Sequence, residues 1–277
     1  MLRVIHHRHV IQFKMSRTIP GGGRFTTSAF LFDGLLIDTG GIYCREEFMQ
    51  ALRRFPPQLV VNTHYHEDHI GNNKPIQDEW GIPIYAHPMA LPIISEPSTR
   101  LGMEWFRQLV WRVPDGSEVL PLGGELITPH YRLQVIHTGG HTPDHICLYE
   151  PQHQYLFSGD LFLGERVKHS YLYEDINQIL AAWRQLSRLP VKEIYCALLG
   201  RVPNGQQAIL NKIAYWEELK SAAQKYQQLG YSRRKIRRLL LGKEGLRSYL
   251  TQGRYSKQNL FDSLMGLGPT NGMGGLT

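Results

Sequence analysis

The sequence predicts an α+β fold, two mixed sheets packed face to face with helices outside, followed by a small helical appendage. Short apolar runs alternate with stretches of helical period through the first 207 residues. The Asp33-Gly34 step between two apolar runs is a two-residue hairpin signal, so antiparallel pairing opens the fold. Beyond residue 207 the periods are helical.

In chain order, residues 10–15 read as a strand, and residues 29–32 and 35–37 as the arms of the hairpin. Residues 46–55 place Phe48, Leu52 and Phe55 on one helical face, and residues 58–62 look like a short buried strand. The stretch 95–114 carries Met103, Trp105, Phe106, Leu109, Val110 and Trp111 at mostly helical spacing, which makes either a packing face or a cap over a cavity. Residues 131–136 and 155–157 are strand-like, and residues 176–189 repeat the helical stripe with Ile176, Leu180 and Trp183. Helices follow at 208–229, 232–241 and 256–265, with Ser232 and Ser256 as N-caps and Gly230 and Gly242 as stops. The Gly21-Gly22-Gly23 run after Pro20 is a candidate flap, and a Gly-rich tail closes the sequence.

With 277 residues, 42% hydrophobic and 20% charged, the chain has enough apolar mass for one large domain, expected at 1–207, and a small one at 208–277. Cys44, Cys147 and Cys196 are odd in number and form no C-x-x-C pair, which argues against a disulfide scaffold and for a reducing compartment. No apolar stretch has the length of a signal-peptide core or a membrane span, so the expected location is cytoplasmic, with no membrane partner.

The chemistry concentrates in residues 63–69, Thr-His-Tyr-His-Glu-Asp-His, directly after the buried strand. In extended backbone His64 and His66 project to the same side, so two imidazoles reach one ion. Asp68 and His69 follow where Gly71-Asn72-Asn73 signals a turn, and can offer an oxygen and a nitrogen to a second ion or to a metal-bound water. Further donors stand at His137, His141 and His145 and at Asp160, each set following a strand-like run and carried on a Gly-rich bend.

These motifs resemble the metallo-β-lactamase superfamily. The H-x-H-x-D-H signature is complete at His64, His66, Asp68 and His69; the G-H-T-P element matches residues 140–143 and the S-G-D element residues 158–160, and the likeness covers roughly residues 10–205. It implies a four-layer αβ/βα sandwich with the metal at one edge. It further implies that His64, His66 and His141 hold a first ion, that Asp68 and His69 serve a second, and that Asp160 bridges them. The family closes the second site with one more histidine after the next strand, where this chain reads Ile-Tyr-Cys-Ala-Leu-Leu-Gly at 194–200. Alignment puts Leu198 or Leu199 in the ligand's place, and no histidine follows His169, so the second site lacks a ligand. Cys196 is the nearest alternative donor, and reads as a small buried strand residue. Asp38, at a strand end before a glycine turn, is the candidate support for the ligands, and His137 and His145 read as buttresses of the His141 loop.

The charge is uneven. Nine Lys or Arg against one acid, Glu244, fill residues 231–258, a net of +8 in a chain of +7. Arg233, Arg234, Arg237 and Arg238 on one helix are candidate contacts for phosphates, whether of nucleic acid or of an acidic ligand such as a coenzyme A or nucleotide derivative, although no base-reading motif accompanies them.

The expected function is a metal-dependent hydrolase acting on an ester, thioester or lactone carbonyl of a small acyl substrate, with Asp68 as base and proton shuttle. Zn2+ is the expected cofactor, one ion held firmly and a second weakly, with Fe or Mn as alternatives. Three other readings stand beside it: a phosphodiester or RNA hydrolase using the basic segment, a mononuclear iron persulfide dioxygenase, and a binding protein that lost catalysis with the histidine.

Overall fold

The computed structural model describes residues 1–19 and 23–267; the flap expected at 21–23 falls outside them except for Gly23, as does the Gly-rich tail. Antiparallel pairing begins one strand earlier than the periodicity predicts. β1 (Leu2–His7) turns into β2 (Val10–Ile19) through Arg8 and His9, with Arg8 at φ +47°, a tight turn without the usual Asn or Gly. β3 (Gly23–Phe32) and β4 (Leu35–Ile37) meet across Asp33 and Gly34, both at positive φ as a primed hairpin turn requires. After α1 (Arg45–Arg54), strand β5 (Leu59–Val61) joins β4 in parallel.

Two short helices, α2 (Glu67–Ile70) and α3 (Asn73–Trp80), lead to β6 (Ile84–Ala86). The excursion α4 (Leu91–Ser95), α5 (Pro97–Arg100) and α6 (Trp105–Trp111) precedes β7 (Leu120–Pro121), which completes a seven-stranded sheet in sequence order. The second sheet is built from β8 (Glu125–Ile127), β9 (Arg132–His137), β10 (Ile146–Glu150) and β11 (Tyr155–Gly159). Past β12 (Ser170–Tyr171) and α7 (Ile176–Leu186) come β13 (Glu193–Cys196) and β14 (Gly200–Pro203), giving six strands in the order β14-β13-β11-β10-β9-β8.

The chain then runs through α8 (Gly205–Gln228), α9 (Arg233–Leu241), α10 (Leu246–Leu250), β15 (Tyr255–Ser256) and α11 (Lys257–Leu264). α10 and the two-stranded ribbon of β12 with β15 were not legible as periods, because each is too short to show one. Ser256 Oγ accepts from Asn259 N at 3.0 Å, a side-chain N-cap; Ser232 occupies the cap position of α9 without such a bond.

Apolar side chains sort these elements into four layers. Between the sheets lie Phe30, Phe32, Val61, Leu148, Phe157 and Tyr195. Outside the first sheet, Phe48 and Leu52 of α1 and Ile76 of α3 cover Phe13 and Leu36. Outside the second, Trp183 of α7, Trp216 of α8, Ile236 of α9 and Phe261 of α11 share one cluster with Leu156 and Ile194. The C-terminal helices therefore complete the outer layer of the second sheet and share its apolar core. The two sheets also bring the chain ends of β4, β5, β9 and β11 to one edge, where the polar motifs lie. Among the described residues, no helix is long and apolar enough to cross a membrane.

Because Phe261 is buried in the cluster that contains Trp183, Phe261→Ala is expected to cost about 3–5 kcal/mol. Urea unfolding followed by tryptophan fluorescence and by circular dichroism should remain one coincident transition, shifted to lower urea.

Candidate metal centre

Each side chain at this edge is aimed by a distinct local device. Asp38, just past β4, adopts φ +61°, and its carboxylate turns back to accept from Thr63 N at 2.7 Å and from His69 Nδ1 at 2.8 Å. One carboxylate thus fixes both ends of the 63–69 loop. His64 follows β5 in a bend, and His66, extended at φ −63° and ψ 147°, is the residue that caps α2. Asp68 and His69 then lie on α2, not in a turn: Asn72 and Asn73 are fully buried and hold the α2–α3 junction through side-chain amides. Asn72 Nδ2 donates to Thr39 O at 2.7 Å, and Asn73 Oδ1 accepts from Thr39 Oγ1 at 2.9 Å. Gly71 and Asn72 form the expected turn, and these bonds anchor it to Thr39 where Asn73 starts α3.

Glycine supplies the close approach on the other side. β11 bulges at Gly159, whose φ is +47° and where a Cβ would come within 2.7 Å of Thr63 Oγ1. The bulge delivers Asp160 to the edge, and its backbone N–H donates to His145 Nε2 at 3.2 Å. His145 Nδ1 in turn donates to Thr138 Oγ1 at 2.8 Å, and His137 Nε2 donates to Pro143 O at 2.7 Å. Both histidines thus tie down the loop that carries His141.

The result is a buried convergence of His64, His66, His141 and Asp160, one donor atom from each lying within 4.8 Å of the others. His64 Nε2 and His141 Nε2 stand 2.9 Å and 3.1 Å from His66 Nδ1. The opposite ring nitrogens are engaged: His64 Nδ1 lies 3.1 Å from Thr63 Oγ1, His66 Nε2 lies 3.3 Å from Tyr173 Oη, and His141 Nδ1 donates to Glu174 Oε1 at 2.6 Å. Burial, reinforced by the neighbouring histidines and Arg107, pushes His64 and His66 well below the usual histidine range, so both are neutral. Inward nitrogen lone pairs this close repel one another unless a cation or a proton lies between them, and the set fits a metal ion.

The second position is built differently. His69 Nε2 is buried with no hydrogen-bond partner, 3.4 Å from Asp160 Oδ1 and 3.9 Å from Asp68 Oδ2, while Asp160 Oδ2 lies 3.5 Å from His141 Nε2. The Asp160 carboxylate stands between the two positions. Burial opposes a charge on His69, but Asp38, Asp160 and Asp68 together hold its pKa well above the usual value. Burial pushes Asp68 up to about 7. Leu198 is 39% exposed and lines the cavity over the centre; Leu199 turns away beside Gly164. Cys196 is fully buried, its thiol pushed up to about 12 by burial, and its Sγ accepts from Leu199 N at 3.3 Å. His169 stacks on Tyr255, ring centres 5.4 Å apart.

Several participants carried no signal in the sequence. Glu174 and Tyr173 reach the ligands from the segment before α7. Arg107 of α6 is buried against Glu67 of α2, with Nε donating to Oε1 at 2.8 Å and a second bond between Nη2 and Oε2, so the 95–114 excursion is pinned beside His66. On the same helix the buried Val110 and the exposed Trp105 and Leu109 all line the cavity, so the excursion both packs and caps. Lys212 of α8 is 1% exposed, donates to Gly164 O at 2.7 Å and lies 4.6 Å from the centre of the Trp216 ring; burial pulls its ammonium down to about 7.

The four arginines of α9 do not form one surface. Arg237 is buried, with Nη1 donating to Gly242 O at 2.8 Å and Nε lying 3.8 Å from Glu244, whereas Arg233, Arg234 and Arg238 are exposed. Arg237 is therefore a structural contact within the helical layer.

A four-layer αβ/βα sandwich with a histidine and aspartate cluster at one edge is the architecture of a metal-dependent hydrolase fold. The sequence profile of the Metallo-beta-lactamase superfamily matches residues 22–197, and the chain belongs to that superfamily. A Beta-lactamase-like protein 2 homolog of Caenorhabditis elegans is 30% identical over 171 residues, 58% of this chain and 50% of that protein. The Hydroxyacylglutathione hydrolase of Xylella fastidiosa strain 9a5c is 28% identical over 141 residues, 50% of this chain and 45% of the other. The chain thus spans about half the length of these curated relatives. A metallo-beta-lactamase family protein from Thermus thermophilus superposes with a TM-score of 0.65 at 19% identity, covering 92% of this chain and 91% of that one, so the shared fold extends into the C-terminal helices.

Glu67→Gln, which leaves buried Arg107 with only the more distant Glu104, 3.7 Å away, as counter-charge, is expected to destabilise the protein in urea titrations by less than the about 3–5 kcal/mol of a fully unpaired buried charge. From about pH 7 toward 10.5 the unfolded chain holds a proton that folded Lys212 does not, so stability rises with pH in that window. Lys212→Met should flatten the rise in urea midpoints measured across it.

Proposed function

We propose that this protein is a hydrolase of ester, thioester or lactone carbonyls that works with one firmly held metal ion. The observation that carries the reading is the buried convergence of His64, His66, His141 and Asp160. Three imidazoles and a carboxylate suit Zn2+, with Fe2+ or Mn2+ as the alternatives the same donors accept. Bound there, the ion would supply Lewis acidity and a water acidified toward neutral pH.

The chain's own groups do the rest. Glu174, Tyr173 and Thr63 orient the ligand rings. Asp160 divides its oxygens between the His141 and His69 sides. Asp68, raised by burial and facing the cavity, takes the proton of the attacking water and hands it to the leaving group. With Leu198 in place of a donor, a second ion has only Asp68, His69 and Asp160. His69, held protonated by three carboxylates, balances their charge without one.

The single-ion requirement is shared with a mononuclear iron persulfide dioxygenase, and metal identity separates the two. Protein purified without added metal should contain about one zinc per chain; iron accompanied by oxygen uptake on a persulfide would overturn the hydrolase reading. Leu198→His should raise zinc content toward about two per chain. Asp68→Asn should keep the first ion while lowering kcat on a thioester by about 10²–10⁴-fold.

A further inference from the structure

A cavity of about 550 Å³ opens over His66, Asp68, His141 and Asp160. Its walls are made by segments far apart in sequence: Trp105 and Leu109 of α6, Leu198 after β13, and Leu250 of α10. These side chains are 59%, 56%, 39% and 46% exposed, although each lies in a concave wall. Exposed apolar groups gathered in a concavity beside reacting residues are covered by a ligand when one binds. Leu198, one of the two leucines that align with the family's second-ion donor, lines the same cavity as Asp160.

One side of the cavity is cationic. Arg24 and Arg247 both line it, the Arg24 Nη2 donating to Ser16 Oγ at 3.0 Å and the Arg247 guanidinium lying 5.5 Å from the centre of the Phe25 ring. Both are solvent-exposed and lie near each other, the Arg247 guanidinium approaching Gly23 beside Arg24. Two cations at one end of an apolar wall suit a single anionic group. A nucleic-acid strand would need cations tracking a groove together with stacked bases.

Resting on the carbonyl-hydrolase reading, we propose that the apolar wall over the metal centre is a substrate subsite. The substrate is then an anionic amphiphile: an ester or thioester with an extended apolar arm and a carboxylate or phosphate group remote from the scissile bond. The arm lies along Trp105, Leu109, Leu198 and Leu250, and the anion meets Arg24 and Arg247.

The test is a titration of zinc-loaded protein with butyl, hexyl, octyl and decyl phosphate, read by calorimetry and by tryptophan fluorescence. Affinity should rise roughly fourfold per methylene until the cavity is filled. Trp105→Ser combined with Leu198→Ser should weaken decyl phosphate by more than about tenfold. Leu109→Gln should act in the same direction, and all three positions are exposed enough for unchanged melting curves to report intact folding. Arg24→Gln with Arg247→Gln should weaken decyl phosphate by about tenfold or more and leave decanol unaffected. Decanoate run in parallel identifies the preferred head group. Affinity independent of chain length, affinity insensitive to these replacements, or preferential binding of a short single-stranded RNA would each overturn the proposal. If the alkyl phosphates bind as described but no ester or thioester is hydrolysed, the hydrolase reading fails and the subsite stands.

Discussion

Three imidazole nitrogens turned toward one another inside the protein are the constraint on which the rest of the edge depends. Buried imidazoles that close are unfavourable neighbours, and nothing in the sandwich core requires them there. They are held by groups that serve no other packing purpose: Asp38 in a left-handed conformation, a bulge at Gly159, and carboxylate and hydroxyl partners on the outer ring nitrogens. Strain and buried polarity of this kind persist only where the surroundings over-determine them. The two sheets supply that rigidity: Asp160 follows β11 directly, His64 and His66 follow β5 closely, and His141 lies on the loop joining β9 to β10.

The C-terminal helices extend the same logic outward. α8, α9 and α11 lie on α7 and the second sheet through Trp216, Ile236 and Phe261, and Ser263 Oγ accepts from Ile176 N at 2.8 Å at the start of α7. Ser263 Oγ also donates to the Glu174 backbone O at 3.0 Å, next to the carboxylate that holds His141. The last helix of the described chain is thus two bonds removed from a metal-ligand position. A segment that looked like a basic attachment is part of the frame that orients the centre, and α10 furnishes one wall of the cavity.

Much of this was legible in the sequence because it depends on local periods and short motifs. Asp33-Gly34 marks its hairpin, the stripes of α1 and α7 mark their buried faces, and the H-x-H-x-D-H run marks the edge where the polar groups gather. What was not legible depends on contacts distant in sequence. The turn at Gly71 and Asn72 was legible, but its anchoring to Thr39, 33 and 34 positions before Asn72 and Asn73, was not. Glu174 and Arg107 look like ordinary charges until the fold sets one on His141 and the other on Glu67. The β1–β2 turn was missed because Arg8 adopts a positive φ that its identity does not favour.

The absent histidine has a different meaning in the fold than in the sequence. Read as a string, leucine for histidine is the loss of a donor, and the natural inference is a weakened enzyme. In three dimensions Leu198 adjoins a wall already apolar through Trp105, Leu109 and Leu250, which come from segments that no metal requires. A histidine among those side chains would place a polar ring, and with it a hydrated ion, against surface that gains most from contact with hydrocarbon. His69 stands among Asp38, Asp68 and Asp160, which hold its pKa above the usual value. A leucine at this place and an apolar wall are therefore compatible features, and Asp68 lines the same cavity.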